Sequence, residues 1–146
     1  MDNQNTLRLV GLALRAGRLE VGEDAAADAC QYKKARLLLL ASDAAEGTVN
    51  RALHAAAECG CVPLETPWSK EELGAALGRK SCAVAAMTDL GMARAVTEKL
   101  AEADGARYAG AAERLRRKAE RLEERKEKAA RAKQGGKKPP AKYRKK

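Results

Sequence analysis

A three-layer αβα sandwich around a four-stranded mixed sheet, extended by a C-terminal basic helix and a disordered end, is the fold this sequence predicts. Three observations carry the prediction. Helix-period and strand-period segments alternate from the start of the chain to about residue 104. The run Leu37-Leu38-Leu39-Leu40 shows no polar alternation, which suits a strand covered on both faces. From about Ala109 the composition changes to Ala, Glu, Lys, Arg and Leu, the residues of a long helix. Alternating elements of this kind place helices on both faces of a sheet.

Leu7, Val10 and Leu14 recur at helical spacing from Thr6, and Gly17 supplies a residue able to take the left-handed conformation that ends helices. Leu19 and Val21 alternate with Arg18 and Glu20 in a short strand. Gly22 then turns the chain, and Glu23 and Asp24 stand where a helix N-terminus favours negative charge. The second helix runs to about Tyr32 with a small stripe, Ala25, Ala26, Ala29 and Cys30, that allows close approach to a sheet. The leucine run follows as the central strand. Val49, Ala52, Leu53 and Ala56 mark an amphipathic helix closed by Gly60. The next strand, Cys61-Val62-Pro63-Leu64, belongs at an edge or an end, because proline has no N–H to give to a ladder. Ser69-Lys70-Glu71-Glu72 is a capping box, with Trp68 placed to staple onto Leu73. Gly78 ends that helix, Cys82–Met87 reads as the fourth strand, and Thr88 or Asp89 caps a helix with Ala93, Val96 and Leu100 inward and Gly105 beyond its end.

A long exposed helix is expected from about Ala109. Glu113→Arg117, Glu124→Lys128 and Glu127→Arg131 attract at i,i+4, while Glu123 and Glu127 repel. Its apolar stripe of Ala112, Leu115, Ala119 and Leu122 is too short for a coiled coil and long enough to dock on the core or a partner. The expected organisation is a domain over 1–104, a basic helical extension over 105–133 and a disordered basic tail over 134–146.

The 146 residues carry a net charge of +9, but the excess is confined to one part of the chain. Residues 1–103 hold 12 basic and 14 acidic residues, and residues 104–146 hold 17 and 6. So dense a basic segment attracts polyanions through Coulomb forces and counterion release. The opening MDNQNTLRLVGLALRAG has no basic n-region, and no apolar run approaches the length of a membrane span. A soluble, cytoplasmic, monomeric protein without a membrane partner is therefore expected. Cys30, Cys59, Cys61 and Cys82 lack the spacing of a disulfide framework or of paired zinc knuckles, and Cys59 and Cys61 are assigned to packing. His54, the only histidine, sits on a surface helix with no Ser or Cys placed beside it. Gly105 and Gly110 have the spacing of a phosphate loop, but Ala111-Ala112 stands where Lys-Ser/Thr is required. Asp43, Glu46 and Asp89 read as turn and cap residues. No catalytic residue, metal or cofactor is expected.

Five segments in order resemble the kink-turn-binding ribosomal-protein superfamily, most closely its small bacterial YlxQ-like branch, over about residues 5–101. They are Leu12-Ala13-Leu14-Arg15-Ala16-Gly17-Arg18, Gly22-Glu23-Asp24, and Lys34-Ala35-Arg36 running through the leucines to Ala41-Ser42-Asp43-Ala44. Ser69-Lys70-Glu71-Glu72-Leu73-Gly74 with Gly78-Arg79 comes next, then Val84-Ala85-Ala86-Met87-Thr88-Asp89-Leu90-Gly91-Met92-Ala93. The resemblance implies a non-enzymatic sandwich that binds structured RNA at the Gly22 junction, with Glu23 and Asp24, and at the loop before the last helix, with Met87, Thr88 and Asp89. Helix N-termini offer N–H groups to phosphates and base edges, and glycine lets the backbone approach. Kink-turn binders carry an Asn, a Glu and a basic residue after that glycine. Here Asp24, Ala25 and Asp28 occupy those positions, so an acceptor replaces a donor and an acid replaces a cation.

Arg114, Arg116, Arg117, Lys118, Arg121 and Arg125 are the expected phosphate contacts of the basic helix, with Arg15, Arg18, Lys33, Lys34 and Arg36 as candidates in the domain. At 3% aromatic content, a folded or double-stranded RNA fits better than stacked single-strand readout. The expected role is RNA binding in translation, with kink-turn-like or ribosomal RNA as target and ribosomal or translation proteins as neighbours. The second reading is an adapter that binds a protein through its domain and is tethered to RNA by its tail. In the first, the tail supplies affinity and the geometry around Gly22 and Thr88 supplies specificity.

Overall fold

The computed structural model describes residues 3–134. Its elements are α1 (Asn3–Arg15), β1 (Leu19–Val21), α2 (Glu23–Gln31), β2 (Leu37–Leu40), α3 (Glu46–Cys59), β3 (Val62–Glu65), α4 (Lys70–Ala76), β4 (Val84–Met87), α5 (Leu90–Ala103) and α6 (Gly105–Gln134). The strands form one mixed sheet in the order β1-β4-β2-β3. β2 and β3 run parallel, while β4 is antiparallel to both of its neighbours. The leucine run is interior and buried along its whole length, and Pro63 lies on the edge strand β3.

Side-chain alternation along the strands divides the core between two faces. Leu37 and Leu39, with Leu19, Val62, Leu64, Ala85 and Met87, pack against α1, α4, α5 and the start of α6. Leu38, Leu40, Val84 and Ala86 face α2 and α3 through Ala26, Ala29, Cys30, Ala52 and Ala56. The small residues let α2 and α3 lie close on the sheet, and this packing turns Leu53 outward, 43% exposed, where the periodicity had placed it inward.

Local chemistry fixes the helix starts. Ser69 and Glu72 make both bonds of the capping box, Glu72 N to Ser69 Oγ at 3.1 Å and Ser69 N to Glu72 Oε1 at 2.9 Å. Asp89 caps α5 by accepting from Met92 N at 2.9 Å, leaving Thr88 in the preceding turn. At Gly74 an added Cβ would lie 2.6 Å from Ser81 Cα, so only glycine lets α4 sit this close to the turn before β4.

The last helix departs from expectation. α6 starts at Gly105 rather than near Ala109, and one side of its first turns is covered: Tyr108 and Leu115 are buried in the main core. The Tyr108 hydroxyl donates to the Glu65 carbonyl at 2.9 Å, and Lys118 Nζ donates to the Gly60 carbonyl at 3.0 Å. α6 therefore packs on α5 and runs antiparallel to β3, keyed to the sheet at both ends of that strand. Beyond Lys118, residues 119–134 carry the helix about 24 Å farther at roughly 1.5 Å per residue. Residues 135–146, expected to be disordered, lie outside the described residues. No helix among the described residues is long and apolar enough to cross a membrane.

Candidate nucleic-acid interface

The sequence places Gly22 and Thr88 alike, each between a strand and the helix that follows it. In an all-parallel sheet both junctions would share one edge. Because β1 and β4 are antiparallel, with Leu19 opposite Met87 and Val21 opposite Ala85, the two junctions lie at opposite ends of the sheet. At about 3.3 Å per residue, the four residues of β4 separate them by about 13 Å. The two junctions expected to contact RNA, Gly22 and Met87–Asp89, thus lie at opposite ends of the sheet.

At the first end, Gly22 is the N-cap of α2, with φ 101° and ψ 159° and no side-chain cap. Its amide donates to the Val84 carbonyl at 2.9 Å, while an added Cβ would meet open space. A side chain is therefore disfavoured here by backbone conformation alone. Glu23 is not free. Arg51 of α3 grips both its oxygens, the second at 3.3 Å, and that hydrogen bond holds the Glu23 carboxyl below its usual range. Asp24 and Asp28 are exposed and Ala25 half-buried. The same end gathers residues the sequence reading did not assign, Arg79, Lys80 and Ser81, in the turn between α4 and β4. Burial raises the Cys82 thiol, while the backbone of Gly22 and Val84 and the charge of Arg79 pull it back. The signal that could have found this turn was the segment Gly78-Arg79-Lys80 itself, but only the β1–β4 pairing brings it beside Gly22.

The opposite end collects the other predicted residues. Thr88 N donates to the Arg18 carbonyl at 2.9 Å and Arg36 N to the Met87 carbonyl at 2.8 Å, so three turns are joined by backbone bonds. Met87 itself is fully buried and has no surface to offer a ligand. Asp89 is committed to its cap. Arg18, Lys33, Lys34 and Arg36 are exposed here, and Arg15 is exposed in the last turn of α1, lining the groove against α4. None of the five makes a side-chain ion pair among the described residues.

On α6 the six expected phosphate contacts divide evenly. Arg116 is held by Glu113 at 2.6 Å and by Glu120, Arg117 by Glu113 at 3.1 Å, and Lys118 by Gly60. The hydrogen bonds from Arg116 and Arg117 push the Glu113 carboxyl down to about 2. Arg114, Arg121 and Arg125 remain exposed and without an ion pair among the described residues. They fall at i, i+7 and i+11, on one face of the helix.

His54 is exposed and lies 3.2 Å from Glu58. Three thiols converge elsewhere: Cys30, from the end of α2, joins Cys59 and Cys61, with the sulfurs within 4.8 Å of one another. That trio is the arrangement a soft cation could use. Burial, then the neighbouring Cys59, raises the Cys30 thiol to about 11, and burial raises Cys61 as well, which favours neutral, packed thiols.

Comparison with known proteins places this geometry in context. The model of the ribosomal protein L7Ae/L30e/S12e/Gadd45 family matches residues 4–96. The RNA-binding protein YlxQ of Bacillus subtilis is 32% identical over 95 residues, covering 64% of this chain and 92% of that protein. A protein of unknown function from Bacillus halodurans has a structure similar at a TM-score of 0.59 and 29% identity, over 64% of this chain and 93% of its own. The Giardia lamblia 15.5kD RNA binding protein shares the fold at a TM-score of 0.53 and 24% identity, over 75% of this chain and 85% of its own. The family match stops within α5, so α6 is read from its own residues.

Proposed function

Because the chain belongs to the ribosomal protein L7Ae/L30e/S12e/Gadd45 family, we propose that it is a non-enzymatic RNA-binding protein, acting on structured RNA in the cytoplasm. The Bacillus subtilis relative, named as RNA-binding, supports the class of ligand. The observation that carries the reading is α6: a basic helix locked to the sheet by Leu115, Tyr108 and Lys118, with Arg114, Arg121 and Arg125 left free along one face. A helix held this way presents its charges in a fixed place, which a merely solubilising tail does not require.

The division of labour follows from charge. Residues 1–103 carry a slight acidic excess, so general attraction to phosphate falls to α6. Selection falls to the Gly22 end, where the close-approach glycine and the uncapped start of α2 share the end of the sheet with the turn that carries Arg79 and Lys80. Asp24 accepts hydrogen bonds only, which suits base amino groups rather than phosphates. We assign kink-turn-like or ribosomal RNA as the target and the translation machinery as the setting, with the protein acting as a monomer. The test compares a bulged RNA hairpin with the same stem fully paired, by fluorescence anisotropy of the full chain. The reading predicts a preference for the bulged hairpin that Arg79→Gln with Lys80→Gln weakens. Equal affinity for both RNAs would remove the selective role from the domain.

A further inference from the structure

We propose that the sheet end opposite Gly22 is a second RNA contact surface, which stacks one unpaired nucleobase on Tyr32 and holds the flanking phosphates with Arg18, Lys33, Lys34 and Arg36. This rests on the RNA-binding reading and extends it by giving the second end an unpaired segment, while the Gly22 end takes the structured one.

Tyr32 is 68% exposed, and it is the one exposed aromatic among the described residues, since Trp68 and Tyr108 are buried. A single exposed aromatic is ordinary on a protein surface; its surroundings are not. Four cations at the same end of the sheet, Arg18, Lys33, Lys34 and Arg36, are exposed and make no side-chain ion pair among the described residues, whereas Arg51, Arg94, Arg107, Arg116 and Arg117 are paired with glutamates. Backbone bonds hold the group together: Lys34 N to the Ala29 carbonyl at 2.8 Å, Arg36 N to Met87, and Thr88 N to Arg18. The backbone that carries these residues is therefore set in place before any ligand arrives.

The backbone adds an independent sign. Lys33 has φ 59°, left-handed, at the point where α2 ends. Glycine takes that conformation without the cost a side chain incurs, yet a lysine stands there. Past Lys118, α6 also runs out over this end, because Lys118 reaches Gly60 at the start of β3 and the helix continues in the same direction.

An aromatic amid cations matches the chemistry of an unpaired strand. Each base offers a face for stacking whatever its sequence, and the cations follow the backbone. A fully paired helix hides its base faces and leaves the tyrosine with nothing to stack on. The partner is thus a single-stranded or bulged segment leaving the structured RNA held at the Gly22 end.

The test uses the full chain with a benzophenone photocrosslinker at position 32 and, separately, at position 80. The probe is a bulged RNA hairpin carrying a single-stranded 3′ extension, beside the same hairpin without it. Position 80 should crosslink to the bulge and position 32 to the extension. Tyr32→Ala should lower affinity for the extended hairpin about tenfold, equivalent to ~1.4 kcal/mol, and leave the unextended hairpin unaffected, while Tyr32→Phe retains both affinities. Equal thermal midpoints of the two variants would show that the fold is intact. Crosslinks from position 32 to the same nucleotides as position 80, or wild-type affinity in Tyr32→Ala, would overturn the second surface and leave RNA binding standing. Failure of the full chain to bind either hairpin would overturn both.

Discussion

Replacing Leu115 by alanine tests whether α6 belongs to the folded domain or merely follows it. Leu115 has no exposed surface and joins the cluster built by α1, α4, α5 and one face of the sheet. Leucine-to-alanine changes at such sites cost about 2–5 kcal/mol, the spread depending on how far the surroundings collapse into the void. α6 forms the outer boundary of its layer and can settle inward, so a cost of about 2–3 kcal/mol is expected. For a domain whose whole stability is of the order of 5–15 kcal/mol, that is a large fraction. Urea unfolding followed by far-ultraviolet circular dichroism and by Trp68 fluorescence provides two probes, because Trp68 is buried in the same cluster. Both transitions should move together to lower urea. Leu122→Ala, at a half-buried position beyond Lys118, should cost less than about 1 kcal/mol. If Leu115→Ala lowered helicity while the Trp68 transition stayed in place, α6 would be an independent appendage, and the fixed placement of its cations would fail with it.

Two further outcomes follow from the geometry. Gly22→Ala puts a side chain at φ 101° in open space, so the cost is conformational, about 1–3 kcal/mol; the variant should remain folded and keep its salt-dependent affinity, while anisotropy shows the preference for bulged RNA reduced. The Glu113 carboxyl, depressed from 4.5 to about 2 by Arg116 and Arg117, contributes stability that is present above pH 4.5 and lost as pH falls towards 2. The helicity of α6 should decline across that window in circular dichroism, and Glu113→Gln should remove that part of the decline.

Much of the fold was legible in the sequence because local chemistry and long-range packing agree. The capping box at Ser69 fixes a helix start wherever the helix later packs, Pro63 can only suit an edge, and four leucines without alternation require cover on both faces. The docking of α6 was less legible. Its stripe of Ala112, Leu115, Ala119 and Leu122 is long enough to dock but does not say whether on the core or on a partner, and the bond from Tyr108 to Glu65 joins residues 43 positions apart. The same limit explains the site. Strand direction is a property of the whole sheet, and nothing near Thr88 records that β4 runs against β1. Nothing in the sequence therefore says that Gly22 and Thr88 lie at opposite ends of the sheet, or that Arg79 and Lys80 share the end that holds Gly22. Tyr32 was passed over for a related reason: scarcity of aromatics is a property of composition, whereas exposure beside free cations is a property of place.

In the proposed division of labour, α6 supplies affinity while the domain supplies selection. Truncation after residue 103 would not isolate these roles, because it strips Tyr108 and Leu115 from the core. Substituting Arg114, Arg121 and Arg125 with glutamine in the full chain leaves the packing intact. The most direct measurement is log K against log[salt] for the bulged and the fully paired hairpin, with the unmodified chain and with this triple variant. The slope should become shallower by about 0.7–0.9 for each phosphate contact removed, with the ratio of affinities for the two RNAs unchanged. An unchanged slope, or a preference for the bulged hairpin that disappears with the three arginines, would contradict that division.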